Sequence, residues 1–412
     1  MVASLVRTLG VRHLALAEDA VQDALLRALE TWKFGERPRN PAAWLMRAAH
    51  NRALDLLRRQ GHQGRLEAAL SRALEAAAAG VEGDPAEHAI PDDELRLMFS
   101  CCEPSLSRRA QVAVILKYLC GFSVREIAQA FLSTEAAVEK GLARSRAVLE
   151  RRGALYEVRD PEQVRTRLPS VQGAVYLLFN EGYHGAHPRQ AVREDLCHEA
   201  LRLGALLARL PAAAGPETQA LLALFCFLAA RLQGRRGEGG DLLLLDEQDR
   251  ARWDRELVAE GARRLGRSAQ GGTLGAWHLE AAIAACHATA SRFEETDWPR
   301  ILALYDRLLE LRPSPVVALN RAIALGMAEG PEAGLRALAA IEDRGRLARY
   351  PFLAAAEAEL ELRAGRPARS AARLRAALGL ARNPAEEAVL ARKLLAAERA
   401  VGTAGESVHT PT

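Results

Sequence analysis

The stretch GFSVREIAQAFLSTEAAVEKGLARSRAVL, residues 121–149, decides the fold of the first third of the chain. Ser123 precedes an apolar-periodic segment and Glu126 follows three residues later, which is the pattern of a helix-capping box. The tripeptide LST at 132–134 predicts a tight turn, whose Ser or Thr caps a last helix reaching about residue 150. Helix, short turn and helix of this size indicate a helix-turn-helix, although a plain helical hairpin would show the same pattern.

The second helix of this motif would enter the major groove of DNA, where its early residues meet base edges. The residues at those positions are Thr134, Glu135, Ala137, Val138, Glu139 and Lys140. Arg144 and Arg146 follow on the same helix, and their charge favours contact with phosphates.

A basic helix lies upstream, in PAAWLMRAAHNRALDLLRRQ at residues 41–60. Pro41 suits the first helical position, with Asn40 as its cap. From residue 33 to residue 72 there are nine positive and three negative side chains, so the local balance is 9 − 3 = +6 against +4 for the whole chain. Such clustering is typical of phosphate contact, and a solvated helix face is the alternative interpretation.

An earlier helix is predicted by apolar residues that recur at helical spacing. These residues are Leu16, Ala20, Val21, Ala24, Leu25, Ala28 and Leu29.

The composition predicts an all-α fold. Of the 412 residues, 49% are hydrophobic and 26% are charged, which is a globular composition rather than a disordered one. Ala and Leu are abundant and aromatic residues make up only 5%, which favours helices over strands. We find no signal peptide, no apolar run of membrane length and no C-x-x-C pair among six cysteines, so we expect a cytoplasmic protein without membrane contact.

The pattern divides the chain into five parts. Residues 1–60 and 92–152 form two small helical domains joined by an Ala- and Gly-rich linker at 61–91, and residues 401–412 form a disordered tail. Residues 160–400 are a long helical region. Its stretches 298–341 and 350–395 each resemble a pair of amphipathic helices near the tetratricopeptide period, with small residues where helices approach closely. These small residues are Ala322, Ala324, Gly326, Ala355, Ala358 and Gly365.

Two modules in this order resemble region 2 and region 4 of the extracytoplasmic-function sigma factors, in the sigma-70 family. The resemblance rests on AEDAVQDALLRALETW, NPAAWLMRAAHNRALDLLRRQ and the 121–149 stretch, and it covers residues 2–60 and 92–151. It implies a partner of core RNA polymerase, through the β′ clamp helices and the β flap, and of promoter DNA. The residues implied for polymerase binding are Asp19, Gln22 and Asp23. The residues implied for contact with the −10 element are Trp44, Asn51, Arg52, Arg58 and Arg59. The helix-turn-helix would read the −35 element.

The C-terminal strings FSCCEPSL, YLLFNEGYHG, DLCHEALRLGALLARL and PSPVVALNRAIA resemble a subgroup of these sigma factors with a fused tetratricopeptide-like extension. That resemblance implies regulation in cis by the extension, with a protein or small-molecule regulator bound to it. Two departures stand against the family pattern. Family members carry Arg or another polar residue at Gly141 and basic residues near Glu139, so −35 binding is expected to be weakened or altered. The sequence also begins within region 2, so we expect its start to omit part of the first helix.

A polar cluster in the extension predicts a hydrogen-bonded regulatory seam. Its residues are Asn180, Glu181, Tyr183, His184 and Asp195, with His187 nearby. A zinc site is the alternative, but the glycines at 182 and 185 indicate a turn rather than a ligand-bearing helix. No phosphate-binding loop or serine-hydrolase elbow is present, so we expect no enzyme, no metal and no cofactor. The competing hypothesis is a sigma-like DNA-binding regulator or scaffold that no longer engages polymerase.

Overall fold

The computed structural model describes residues 1–10, 13–33, 37–59, 90, 92–152, 158, 160–185, 192–237, 241–272 and 274–406. Within these residues every extended regular element is a helix, which confirms the all-α prediction. The chain forms two compact units, Met1–Val175 and Tyr176–Thr412. None of the described helices is both long enough and apolar enough to cross a bilayer. Most of the predicted linker at 61–91 lies outside the described residues.

The described residues of the first unit form seven helices and the first half of an eighth. They are α1 (Val2–Leu9), α2 (Leu14–Trp32), α3 (Pro41–Arg59), α4 (Asp93–Cys101), α5 (Arg108–Tyr118), α6 (Val124–Ala130), α7 (Glu135–Arg152) and α8 (Pro161–Tyr183).

Small side chains allow α2 and α3 to pack closely against each other. Ala20 and Ala24 on α2, and Ala49 and Ala53 on α3, are buried at helical spacing. The backbone NH of Ala43 donates to Asn40 Oδ1 at 3.0 Å, so Asn40 caps α3 as predicted.

The helix α5 begins at a defined side-chain cap. It begins at Arg108 because Ser107 is its cap, with its hydroxyl accepting from the backbone NH of Ala110 at 3.3 Å. Residues 104–106 form a turn before it. This helix, α5, also joins the two ends of the unit, since Lys117 Nζ lies 3.3 Å from Glu18 Oε1 on α2.

The first half of α8 is built into this unit beside α5. The Arg167 side chain is buried and its Nε donates to the Cys102 carbonyl at 2.9 Å. The Ser170 hydroxyl donates to Gln111 Oε1 at 2.5 Å, and the Gln111 amide donates in turn to the Glu103 carbonyl at 2.8 Å. Hence the string FSCCEPSL is the surface on which the start of the extension packs.

The second unit continues from α8 through ten further helices. They are α9 (Glu194–Arg209), α10 (Pro216–Ala229), α11 (Arg255–Ser268), α12 (Ala276–Thr289), α13 (Trp298–Leu311), α14 (Pro315–Glu329), α15 (Pro331–Ala339), α16 (Pro351–Arg363), α17 (Pro367–Leu378) and α18 (Pro384–Glu406). Neighbouring helices along the chain pack on one another, which is the arrangement of a helical-repeat domain.

Each of the two stretches predicted as a helix pair contains three helices, so the pair prediction was wrong in its count. Pro331 follows Gly330, whose φ of 104° turns the chain and starts α15 directly after α14. Gly326 does lie at a close helix approach, because a Cβ there would be 2.5 Å from Leu360. Gly365 does not: its φ is 71° and it ends α16 in a turn. The last helix extends to Glu406, beyond the predicted boundary at 400.

Candidate nucleic-acid interface

The outer face of α3 carries most of the side chains predicted for the −10 element. Asn51, Arg58 and Arg59 are exposed, and Arg47 is exposed one turn before Asn51. Their opposite face is buried through Leu54 and Leu57, so the helix is amphipathic as predicted.

Arg52 differs from these neighbours because it is paired within the protein. Its Nε lies 2.5 Å from Asp23 Oδ2, and both side chains are about half-buried. A residue predicted to bind DNA and one predicted to bind polymerase therefore contact each other across α2 and α3. The pair contributes to fixing the two helices, and a contact with either partner would have to share or break it.

Trp44 is half-buried against Trp32, with ring centroids 5.4 Å apart. Such tilted aromatic pairs add modestly to the energy of burial. Part of the Trp44 ring stays accessible, so it can still offer a stacking surface.

The outer face of α2 combines polar and apolar side chains. Asp19 and Gln22 are exposed, as the polymerase-binding prediction requires. Leu25, Leu26 and Leu29 are 44%, 58% and 72% exposed. Leu25 and Leu29 belong to the helical repeat that predicted α2, and in the structure they lie on its exposed side. Spacing of 22, 26 and 29 puts Gln22, Leu26 and Leu29 on one helix face, which could have been read from the sequence as a partner surface.

The helix-turn-helix is held by side-chain caps. The Ser123 hydroxyl accepts from the Glu126 backbone NH at 3.2 Å, and Glu126 Oε2 accepts from the Ser123 NH at 2.7 Å, which completes the predicted capping box. Leu132 turns the chain with a φ of 48°. Thr134 then caps α7 by accepting from the Ala137 NH at 3.3 Å.

The exposed face of α7 carries every side chain predicted for it except Val138. Val138 is buried together with Leu142, Ser145 and Leu149, so it belongs to the core and not to the base-reading set. Arg146 is partly engaged, since its Nε lies 2.6 Å from Glu150 Oε1. The exposed candidates are Thr134, Glu135, Glu139, Lys140, Arg144 and Arg146.

Two arginines that sequence reasoning missed flank this helix-turn-helix. Arg109 donates to the Phe131 carbonyl at 3.2 Å and lies 4.6 Å from the Phe131 ring centroid, so its guanidinium is held beside the turn. Arg125 is exposed on α6. Both follow a Ser within two positions at a helix start, and that signal could have marked them as phosphate contacts near helix N-termini.

The predicted seam gathers four of its five residues at the end of α8. Glu181 is buried and pairs with Arg193 at 3.1 Å, the Tyr183 ring is buried beneath Arg235, and the Asn180 carbonyl accepts from the His184 NH at 2.7 Å. Asp195 is exposed in the first turn of α9 and makes none of the hydrogen bonds found among the described residues. His187 lies outside the described residues.

The seam shows no arrangement suited to a metal. No group of three or more His, Cys, Asp or Glu side chains in the described part of the chain is placed to hold an ion. Burial alone would raise the pKa of Tyr183, but the positive charges of Arg231 and Arg235 outweigh that effect and lower the pKa.

Comparison with known proteins gives three family matches in chain order. The family model described as Sigma-70 region 2 matches residues 1–63, Sigma-70, region 4 matches residues 96–149, and a family of unknown function (DUF6596) matches residues 167–269. A protein of Rhizobium meliloti (strain 1021), described as uncharacterized, is 39% identical over 394 residues, or 94% of this chain and 92% of that protein. No solved structure matches the chain.

Proposed function

The chain belongs to the extracytoplasmic-function group of the sigma-70 family, and on that premise we propose that it directs core RNA polymerase to specific promoters and initiates transcription there. The observation that carries the proposal is the pair of exposed faces on α3 and α7. They belong to the two matched regions, and both present polar and basic side chains to a partner.

Each face has its own role in this proposal. The side chains Asn51, Arg58 and Arg59 on α3, with Trp44, would hold the −10 element as it opens, because unstacked bases need polar edges and an aromatic surface. The α7 face would read the −35 element in the major groove, with Arg109 and Arg125 on phosphates. The α2 face would bind the β′ clamp helices, and region 4 would bind the β flap.

Transcription in vitro with core polymerase and the full chain tests this proposal. We expect promoter-specific transcripts, and we expect Asn51→Ala with Arg58→Ala to lose promoter opening while core binding is retained. The exposed Arg307 on α13 supplies a control, since Arg307→Ala should leave transcription unchanged. Failure of the full chain to bind core polymerase would favour the alternative, a DNA-binding regulator or scaffold that does not engage polymerase.

Regulation in cis by the extension forms the second part of the proposal. It is supported by the buried contacts of Arg167 and Ser170, which make the first half of α8 part of the sigma core. We infer that a change in the extension acts on region 4 through these contacts of α8. Equal transcription by residues 1–175 and by the full chain would exclude this regulation.

A further inference from the structure

A cavity of about 300 Å³ lies within the second unit. It is bounded by the end of α8, the segment 241–248, and parts of α16 and α18. A volume of this order is at the lower end of the range that holds small molecules.

Most of the cavity wall is apolar. Leu243 and Leu245 line one side, and Phe352, Val389 and Leu390 line another. These side chains suit the hydrocarbon body of a ligand, because burying it removes apolar surface from water.

Two guanidinium groups line the same cavity, and neither has a carboxylate partner in the part of the chain that the structure describes. Arg235 is only 5% exposed, and its Nε has no hydrogen-bond partner among the described residues. Its guanidinium lies over the Tyr183 ring, 3.9 Å from the centroid. Arg231 has only a long contact of 3.5 Å to Gln248 Oε1 and lies over the Trp253 ring. Within the described part of the chain, neither arginine forms an ion pair.

The other charged side chains on the wall, Glu386 and Lys393, are each paired with a residue outside it. Glu386 accepts from Arg382, and Lys393 lies 2.6 Å from Glu359. Among the described residues, the positive charges of Arg231 and Arg235 therefore have no carboxylate partner. His184 lies at the rim of the same cavity. A buried charge without a partner lowers the stability of the fold. An anion bound in the cavity would offset this cost by pairing with the two arginines.

We propose that this cavity binds a small amphipathic organic anion. Its oxyanion head, a carboxylate or a phosphate, would pair with Arg231 and Arg235, and its apolar body would lie along Leu243, Leu245 and Val389. This site goes beyond the proposed promoter function, which uses none of these residues. The ligand would contact both the beginning and the end of the extension.

Isothermal titration of the full chain tests the proposal with three probes of one chain length. Octanoate and octyl phosphate carry the two head groups, and octanamide is the uncharged analogue. We expect at least one of the two anions to bind saturably at a single site. Octanamide should bind at least about tenfold more weakly than that anion, because it cannot form the charge-assisted hydrogen bonds. The difference between the two anions identifies the head group.

Substitutions of Arg231 and Arg235 test whether these two side chains bind the anion. Arg235→Met and Arg231→Gln should each weaken the preferred anion by about tenfold or more. The exposed Arg307→Met is the matched control and should bind as the parent does. Arg235→Met should also melt at the same temperature or higher, because it removes an uncompensated buried charge; a merely structural arginine would lower the melting temperature.

Three results would overturn the proposal: no saturable binding of either anion, octanamide binding as tightly as the anions, or unchanged affinity in folded Arg235→Met and Arg231→Gln. The titration contains neither polymerase nor DNA. Its failure is therefore distinct from failure of the promoter function, which transcription measures separately.

Discussion

Gly141 lies in the middle of α7, where a Cβ would meet no atom within 4 Å. Glycine in a helix interior costs about 1 kcal/mol relative to alanine, and no neighbour here justifies that cost. We therefore expect Gly141→Ala to raise the free energy of opening of α7 by about 1 kcal/mol, measured by native-state hydrogen exchange of its amides.

Gly182 provides the matched control for that substitution. A Cβ at Gly182 would be 2.7 Å from the Arg193 carbonyl and 2.8 Å from Cys197. Gly182→Ala should therefore destabilise the second unit, since the contacting atoms include backbone. If Gly141→Ala destabilised α7 instead, the prediction would be wrong. Gly141 would then have a packing role although no atom lies within 4 Å of its Cβ position.

Cys101 and Cys102 are fully buried beneath the start of α8. Burial raises the pKa of the Cys101 thiol to about 12, and it also raises the pKa of the Cys102 thiol. Because the thiolate is the reactive form, we expect neither thiol to be alkylated by iodoacetamide at pH 8 in the folded chain. Cys120 and Cys286, which are half-buried, should be labelled first, as peptide mass spectrometry would show. Early labelling of Cys101 would mean that α8 leaves this surface readily.

At the scale of one helix, α2 shows how a single element serves both the fold and a partner. Its Ala-rich face packs on α3, and its outer face carries Asp19, Gln22, Leu26 and Leu29. An apolar patch rimmed by polar residues is typical of a protein contact surface. Asp23 has a different role from its neighbours, because its carboxylate already pairs with Arg52.

Replacing leucines on the outer face of α2 by aspartate tests whether this face contacts core RNA polymerase. We expect Leu26→Asp with Leu29→Asp to weaken binding to core RNA polymerase by about 2 kcal/mol or more, since a carboxylate buried in an apolar contact without a partner loses its solvation. Thermal stability should stay unchanged because both leucines are exposed. Leu311→Asp, at a leucine 53% exposed on α13, is the control. Unaltered affinity, measured by fluorescence anisotropy, would exclude this face from the interface.

The elements with strong local signals could be predicted from sequence. The capping box at Ser123 and the Asn40 cap are local patterns, so the starts of α3 and α6 agree with the structure. Burial depends on tertiary contacts, which is why the buried Val138 was assigned to the DNA-reading set. The cavity with Arg235 could not be predicted, because its wall combines residues about 200 positions apart in the chain.

At the scale of the first unit, the two matched regions are tied together by more than the linker between them. α1 packs on α4, and the Glu18–Lys117 pair joins α2 to α5. Both side chains are only about one-fifth to one-quarter exposed, so solvent screens this pair less than a surface bridge. The start of α8 covers another side of α5. Region 4 therefore folds against region 2 and the extension at once.

This packing predicts where the chain can be shortened. A piece ending at residue 152 removes Arg167, Ser170 and Gly173, and thereby exposes the Cys102 carbonyl and the Gln111 side chain. Buried polar groups that lose their partners cost about 1–3 kcal/mol each, so residues 1–152 should unfold at a lower urea concentration than residues 1–175.

Arg167→Met within residues 1–175 separates the effect of the contact from that of length. It keeps the helix but removes the hydrogen bond to the Cys102 carbonyl, and we expect a urea midpoint between those of the two pieces. Arg165→Met is the matched control, because Arg165 is exposed and pairs with Glu162 in its own helix. If residues 1–152 were as stable as residues 1–175, α8 would be an appended helix, and a signal received by the extension would need another route to region 4.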